Sequence, residues 1–211
     1  MLALEGIELG QGRFRLRADL QVARGARVAI MGPSGGGKST LLAAIAGFLA
    51  PLRGRVLWEG RDLGPLAPGD RPAAVLFQDN NLFPHLSALQ NVALGIRPSL
   101  RPRPDERARA EAALARVGLA SLGDRRPAQL SGGQQSRAAL ARVLVQDRPL
   151  VLMDEPFAAL GPAQKAEMVS LVREVLGPRE TTILMVTHDP DDARALGGDL
   201  ILVADGRADP P

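Results

Sequence analysis

The 211-residue chain has no cysteine and no tyrosine, one tryptophan (Trp58) and five phenylalanines. Of its 26 basic residues only Lys38 and Lys165 are lysines. Without cysteine there is no disulfide framework and no thiolate metal site, which suits a reducing compartment. With aromatics at 3%, a stacked-aromatic surface for single-stranded nucleic acid is not expected. No apolar run approaches the ~18 residues of a membrane span. Met1-Leu2-Ala3-Leu4-Glu5 carries neither a basic segment nor a long apolar one, so no secretory signal is expected there. The missing groups also explain the high pI of about 10.4. Net charge is only +3, from 26 basic and 23 acidic residues. Arginine stays protonated to about pH 12, and no cysteine or tyrosine titrates below that, so a small positive charge persists far above neutrality. The pI is therefore no sign of nucleic-acid binding; nucleic acid is not expected as the partner, and action on nucleic acid is kept only as an alternative.

What is present is ordinary for a globular domain: 45% hydrophobic and 23% charged residues. Phe14, Leu16, Ala18, Leu20 and Val22 alternate with polar residues, the period of a half-buried strand. The short apolar run 27–31 leads into a glycine-rich stretch. A helix is predicted at 38–48, a strand between Gly54 and Gly60, and another at 73–77. Beyond 130 the pattern predicts a helix at about 132–146, a strand at 150–154 and a helix at about 162–176. A strand at 182–187, a short helix from about 190 and a strand at 199–204 follow. Alternating strands and helices predict an α/β fold with a mainly parallel sheet. The stretch 82–130 differs, with short helical segments, prolines at 98, 102 and 104, and many arginines, and reads as a helical insertion. Its segment 97–126 holds eight arginines against Asp105, Glu106, Glu111 and Asp124. That charge reads either as a solvated helix face or as a face near anionic lipid headgroups.

Three stretches carry chemistry. Gly32-Pro33-Ser34-Gly35-Gly36-Gly37-Lys38-Ser39-Thr40 fits G-x-x-x-x-G-K-[ST] between a predicted strand and a predicted helix. Glycines let successive N–H groups turn inward around phosphate oxygens, and the helix N-terminus adds partial positive charge. Lys38 supplies a full charge for the β- and γ-phosphates, Ser39 a hydroxyl for Mg²⁺, and Thr40 a contact to the α-phosphate. Leu150-Val151-Leu152-Met153-Asp154-Glu155 reads as a buried strand delivering two carboxylates at its C-terminal edge, where ligands of open α/β sheets bind. Asp154 is expected to hold Mg²⁺ and Glu155 to orient or deprotonate water. Leu130-Ser131-Gly132-Gly133-Gln134 contains S-x-x-Q, a capping box that opens a helix. The two glycines in its first turn cost helix stability and suit close approach of a ligand.

A phosphate loop, Gln78 after a strand, an LSGGQ stretch, an Asp-Glu strand end and His188 after a strand occur in this order. In this the chain resembles the nucleotide-binding subunits of ABC transporters over nearly its whole length. The resemblance implies a P-loop fold with a RecA-like parallel core, an N-terminal antiparallel β part and an inserted helical subdomain. On that plan 1–211 form one ATP-binding domain, with 1–81 and 131–211 as core and 82–130 as the helical subdomain. It implies ATP and Mg²⁺ as cofactors and a homodimer in which Ser131, Gly133 and Gln134 serve the partner's ATP. Gln78 would contact Mg²⁺ and water while sensing a membrane permease, and His188 would bond the γ-phosphate. Phe77-Gln78-Asp79-Asn80-Asn81-Leu82-Phe83-Pro84-His85-Leu86, then Gln90-Asn91-Val92-Ala93-Leu94-Gly95, are similar to importer ATPases, above all those of thiamine importers. Iron(III), spermidine or putrescine, and sulfate importers use similar wording. A periplasmic solute-binding protein and a place on the cytoplasmic face of a bacterial inner membrane are implied with them.

Three positions depart from the family. Gln11 stands where an aromatic usually stacks on adenine, and Phe14, the only aromatic nearby, is expected in the core. Ala158-Ala159-Leu160-Gly161 ends without the family's aspartate, so coupling between two ATP sites is expected to be weak. Gln135-Ser136-Arg137 lacks a glutamine before the arginine, with little expected consequence.

Overall fold

The computed structural model describes residues 1–12, 14–99 and 101–210, with main chain alone at Gln11 and Arg179. Its contacts divide the chain into two compact units. The first comprises Met1–Val75, Pro149–Glu155 and Arg179–Pro211, and the second Leu76–Arg148 and Pro156–Pro178. The second unit therefore takes in more chain than the insertion at 82–130.

The first unit is built on a sheet. Its strands are β1 (Leu2–Gln11), β2 (Phe14–Val22), β3 (Arg27–Met31), β4 (Arg53–Trp58), β5 (Arg61–Asp62), β6 (Ala73–Leu76), β7 (Leu150–Asp154), β8 (Thr182–Val186), β9 (Asp199–Ala204) and β10 (Arg207–Asp209). They lie in the order β5-β4-β1-β2-β10-β9-β3-β8-β7-β6. β1 pairs antiparallel with β2 and β4, and β4 with β5. β9, β3, β8 and β7 run parallel. This is the expected α/β architecture with an antiparallel N-terminal part and a parallel core. One connection is absent from the sequence reading. β10 pairs antiparallel with β9 and parallel with β2, and so joins the two parts into one sheet.

Burial explains the strand sequences. β2 alternates buried and exposed positions from Leu16 to Val22, as its period requires. β8 is buried throughout and β7 up to its last residue, which is why they read as unbroken apolar runs. Helix α1 (Lys38–Ala46) packs Leu41, Leu42 and Ile45 into the core against strands of both parts of the sheet. Each such side chain stabilises by ~1.5–3 kcal/mol when fully buried. The helix ends two residues earlier than expected because Gly47 adopts φ 92°. Arg71, only 3% exposed, donates to the Ala44 and Ile45 carbonyls at 2.8 and 2.9 Å and so covers the C-terminal end of α1. Burial pushes its pKa down, and the charge of Asp62 opposes this.

The second unit contains α2 (Ala88–Ala93), α3 (Pro104–Arg116), α4 (Gly132–Gln146) and α5 (Pro162–Leu176); the first also has α6 (Pro190–Leu196). Ser87 and Gln90 form a capping box on α2. Asn91, fully buried, accepts from the Phe83 N–H at 2.8 Å and donates to the carbonyls of Phe83, Leu86 and Ser87. It thereby fastens the loop before its own helix. The arginines of 97–126 are largely used within the unit. Arg97 and Arg103 share the buried Glu106, and Arg107 pairs with Glu111. Arg109 donates to the Val145 carbonyl near the end of α4, and Arg116 to Val175 near the end of α5. Neither a solvated face nor a lipid-facing one, the two readings of this charge, anticipates these bonds within the unit. No helix among the described residues is long and apolar enough to cross a membrane.

Candidate functional site

The end of β3 and the start of α1 are bridged by a loop that only glycine can form at two points. A Cβ on Gly32 would stand 1.9 Å from the Val203 carbonyl oxygen. Gly37 has φ 102°, and a Cβ there would stand 2.5 Å from the Phe14 ring. Gly36 N–H donates to the Pro33 carbonyl at 3.1 Å. Lys38 Nζ donates to the Gly32 and Pro33 carbonyls, both at 2.9 Å, so the ammonium is folded back over the loop. Those bonds use two of its three donors.

A cleft of about 480 Å³ opens on this loop, lined by Phe14, Ser34, Gly35, Gly37, Lys38, Ser39, Thr40 and Glu155. Phe14 is a correction to the sequence reading, which put it in the core. The ring is half-buried, packs against the core on one side and against Gly37 on the other, and lines the cleft. Its place at the first position of β2 explains why alternation misled: the face shared with Leu16 ends at the cleft. The side chain of Gln11 lies outside the described residues.

Two pairs of side chains meet beside the loop. Ser39 Oγ donates to Asp154 Oδ1 at 2.9 Å. Burial pushes the Asp154 carboxyl above its ordinary pKa, and the charge of Glu155 pushes it further. The Ser39 hydrogen bond and Lys38 oppose the shift. Glu155 Oε2 lies 3.0 Å from His188 Nδ1. Glu155 has φ 42°, an uncommon value for a side chain of its size, and its N–H donates to the Val186 carbonyl of β8 at 3.1 Å. β7 and β8 thus deliver both carboxylates and the imidazole at neighbouring strand ends. Thr187 N–H donates to the Ile30 carbonyl, and its hydroxyl accepts from Asp189 N–H, which fixes the turn carrying His188.

The remaining candidates belong to the second unit. Gln78 is exposed in the turn that follows β6. Leu130 is buried, and Ser131 caps α4. Its hydroxyl accepts from Gln134 N–H at 3.3 Å, while the Gln134 side chain accepts from Ser131 N–H at 3.0 Å. The capping box therefore forms as the spacing predicts. It leaves the glycines unexplained: a Cβ on Gly132 would make one ordinary contact, at 3.8 Å, and one on Gly133 would meet nothing within 4 Å. Neither packing nor main-chain geometry calls for them, and the first turn is left bare. Gln135 donates to the Pro127 and Leu130 carbonyls, and Ser136 to that of Gly132.

A family model described as ABC transporter matches residues 16–158. The chain is 61% identical over all 211 residues to a protein named Thiamine import ATP-binding protein ThiQ from Cereibacter sphaeroides, of which it covers 91%. It is 48% identical over 209 residues to the protein of that name from Yersinia pestis, covering 99% of this chain and 89% of that one. A solved dimeric ATP-binding cassette, in a post-hydrolysis state bound to ADP and Pi, superposes with a TM-score of 0.84 at 31% identity. The match covers 99% of this chain and 97% of that one.

Proposed function

Because the chain belongs to the ABC transporter family, we propose that it is the ATP-hydrolysing subunit of an importer of thiamine or thiamine pyrophosphate. The observation that carries the reading is the pairing of the phosphate loop with two strand-end carboxylates. Ser39 at the start of α1 meets Asp154 at the end of β7, and Glu155 meets His188 where the neighbouring strands β7 and β8 end, beside the glycine-rich cleft. The cargo reading is supported by the names of the full-length relatives, since the solute is not expected to touch this chain.

In this reading the N–H groups of 34–40 and Lys38 cradle the phosphates. Ser39 Oγ and Asp154 Oδ1 form the oxygen pair that suits Mg²⁺, a hard cation that takes one or two protein oxygens beside phosphate and water. Among the described residues no group of three or more His, Asp or Glu forms a competing cage. When bound, Mg²⁺ neutralises charge developing on the phosphate oxygens. Glu155 accepts a proton from, or orients, the water that attacks the γ-phosphorus in line, and His188 donates to a γ-phosphate oxygen. Gln78 contacts the metal and water, and Phe14 takes the adenine side of the cleft. Ser131, Gly133 and Gln134 serve the ATP of a second copy in a homodimer. The subunit docks on a permease at the cytoplasmic face of the inner membrane, and a periplasmic binding protein delivers the solute from the other side.

The test is reconstitution with the permease in liposomes. A thiamine-loaded binding protein should raise ATP hydrolysis and drive uptake. Stimulation by iron(III), spermidine or sulfate instead would reassign the cargo. Glu155→Gln should lower kcat by at least ~100-fold while ATP binding remains. Turnover close to the parent's would remove Glu155 from its role.

A further inference from the structure

The chain after β6 turns sharply at Gln78. Asn80 N–H donates to the Phe77 carbonyl at 3.0 Å, closing a four-residue turn with Gln78 at its second position. Asn80 and Asn81 then both take positive φ, 58° and 45°, a region that asparagine tolerates better than most residues. The Asn80 side chain does not hold this conformation: its Oδ1 is buried without a hydrogen-bond partner. Arg142, from the C-terminal half of α4, grips the exit of the turn instead. Its Nη2 donates to the Asn80 carbonyl at 2.8 Å and its Nη1 to the Asn81 carbonyl at 2.7 Å. Burial lowers the guanidinium pKa, and the charge of Asp79 opposes this. A planar fork with two donors satisfies two adjacent carbonyls at fixed spacing, which a lysine ammonium on a flexible stem does not reproduce.

We propose that Arg142 is a positioning residue for Gln78. By clamping the exit of the turn it ties Gln78 to α4, the helix whose first turn holds Ser131–Gln134. The group that meets the metal and water and the group that serves the partner's ATP then move as one piece. The proposal rests on the roles given above to Gln78 and the α4 N-terminus.

The test compares the purified full-length chain with Arg142→Lys, Arg142→Gln, Gln78→Ala and the double variant Gln78→Ala/Arg142→Lys. It reads kcat, KM for Mg-ATP and thermal unfolding. Arg142→Lys should unfold cooperatively and keep KM within about twofold, while kcat falls roughly 10- to 100-fold, as misplacement of a group needed in the transition state predicts. The double variant should be no slower than Gln78→Ala, because the group Arg142 positions is already gone. A double variant whose loss is the product of the two single losses overturns the proposal. Unchanged kcat in both Arg142 variants, with Gln78→Ala impaired, overturns the positioning role alone. Unchanged kcat in Gln78→Ala removes Gln78 from the reaction, and the underlying reading of that residue with it. If neither Arg142 variant unfolds cooperatively, the residue serves the fold and the positioning role is wrong.

Discussion

The two units hold their functional residues by different means. In the first, the candidate side chains sit at strand ends, in the adjoining loops and in the first turn of α1, and the groups already bond to one another: Ser39 to Asp154, Glu155 to His188, Lys38 to its own loop. The buried strands β7 and β8 act as rigid mounts, and the chemistry is set where they emerge. In the second, the candidates lie in a turn and at a helix N-terminus, and long arginines reaching main-chain carbonyls hold the frame. Arg109, Arg116, Arg137 and Arg142 all donate to carbonyls of other segments, and Arg137 also pairs with Glu167. The difference has a physical origin. A sheet satisfies its own main chain, whereas helix ends and turns leave carbonyls that need donors from elsewhere. A guanidinium with five donors meets that need better than an ammonium. The scarcity of lysine thus has a structural counterpart, with one of the two lysines kept for the phosphate loop.

The largest effect that would sharpen this contrast is at Asp154. Asp154→Asn should cut Mg-dependent ATP hydrolysis by ~10³-fold, a loss of about 4 kcal/mol in transition-state stabilisation. The same change should stabilise the nucleotide-free protein at neutral pH. The folded state raises the Asp154 pKa, so the folded chain binds this proton more tightly than the unfolded one. Stability therefore falls as pH rises from the ordinary aspartate value near ~4 towards the raised one, and the cost is fully present above it. Urea unfolding of parent and variant between pH 4 and 8 reads the difference. Parallel pH profiles would show that the carboxylate is not strained in its strand-end mount.

Next in size is Asn91→Ala in the second unit. It strands the Phe83 N–H and three carbonyls, and should cost about 2–4 kcal/mol of stability in denaturant titration. A loss below 1 kcal/mol would mean that water replaces the asparagine and that the loop does not depend on it. Arg116→Ala tests the arginine frame directly. Removing the donor to the Val175 carbonyl near the end of α5 should cost about 1 kcal/mol. No change would reduce that contact to surface decoration. The smallest effect is expected at Gly161, the N-cap of α5, where the main chain is extended and a Cβ would meet nothing. Gly161→Asp should gain a few tenths of a kcal/mol from a new cap. It should also raise the Hill coefficient for ATP if a carboxylate there couples two sites. A lower Tm would contradict the capping argument.

Much of both units was legible because their signals are contiguous. The helices at 132–146 and 162–176 and the strands at 150–154 and 199–204 stand where periodicity put them. The phosphate loop announced itself by seven consecutive residues, Gly32 to Lys38. β5 and β10 were not legible, since a charged pair (Arg61-Asp62) and two charges around one alanine (Arg207-Ala208-Asp209) are too short to carry a period. Phe14 was read one-sidedly because an alternating strand reports which face a side chain takes, not where that face ends. The Arg142 clamp and the Asn91 fastening were also hidden. Nothing local distinguishes an arginine that bonds a carbonyl 62 residues away from one that faces water.

The order of residues along the chain sufficed for the local chemistry: glycines that free a loop, a lysine and hydroxyl at a helix start, two acids after an apolar run, a capping box. These are short-range consequences of side-chain size, charge and spacing. What depended on folding is which of them meet. Ser39 and Asp154 are 115 residues apart, Glu155 and His188 33 apart; the pairing of β3, β8 and β7 in one sheet brings the end of β8 beside that of β7 and the start of α1, which follows β3, to Asp154. That pairing is set by burial summed over the whole sheet, a long-range quantity that no window of the sequence contains.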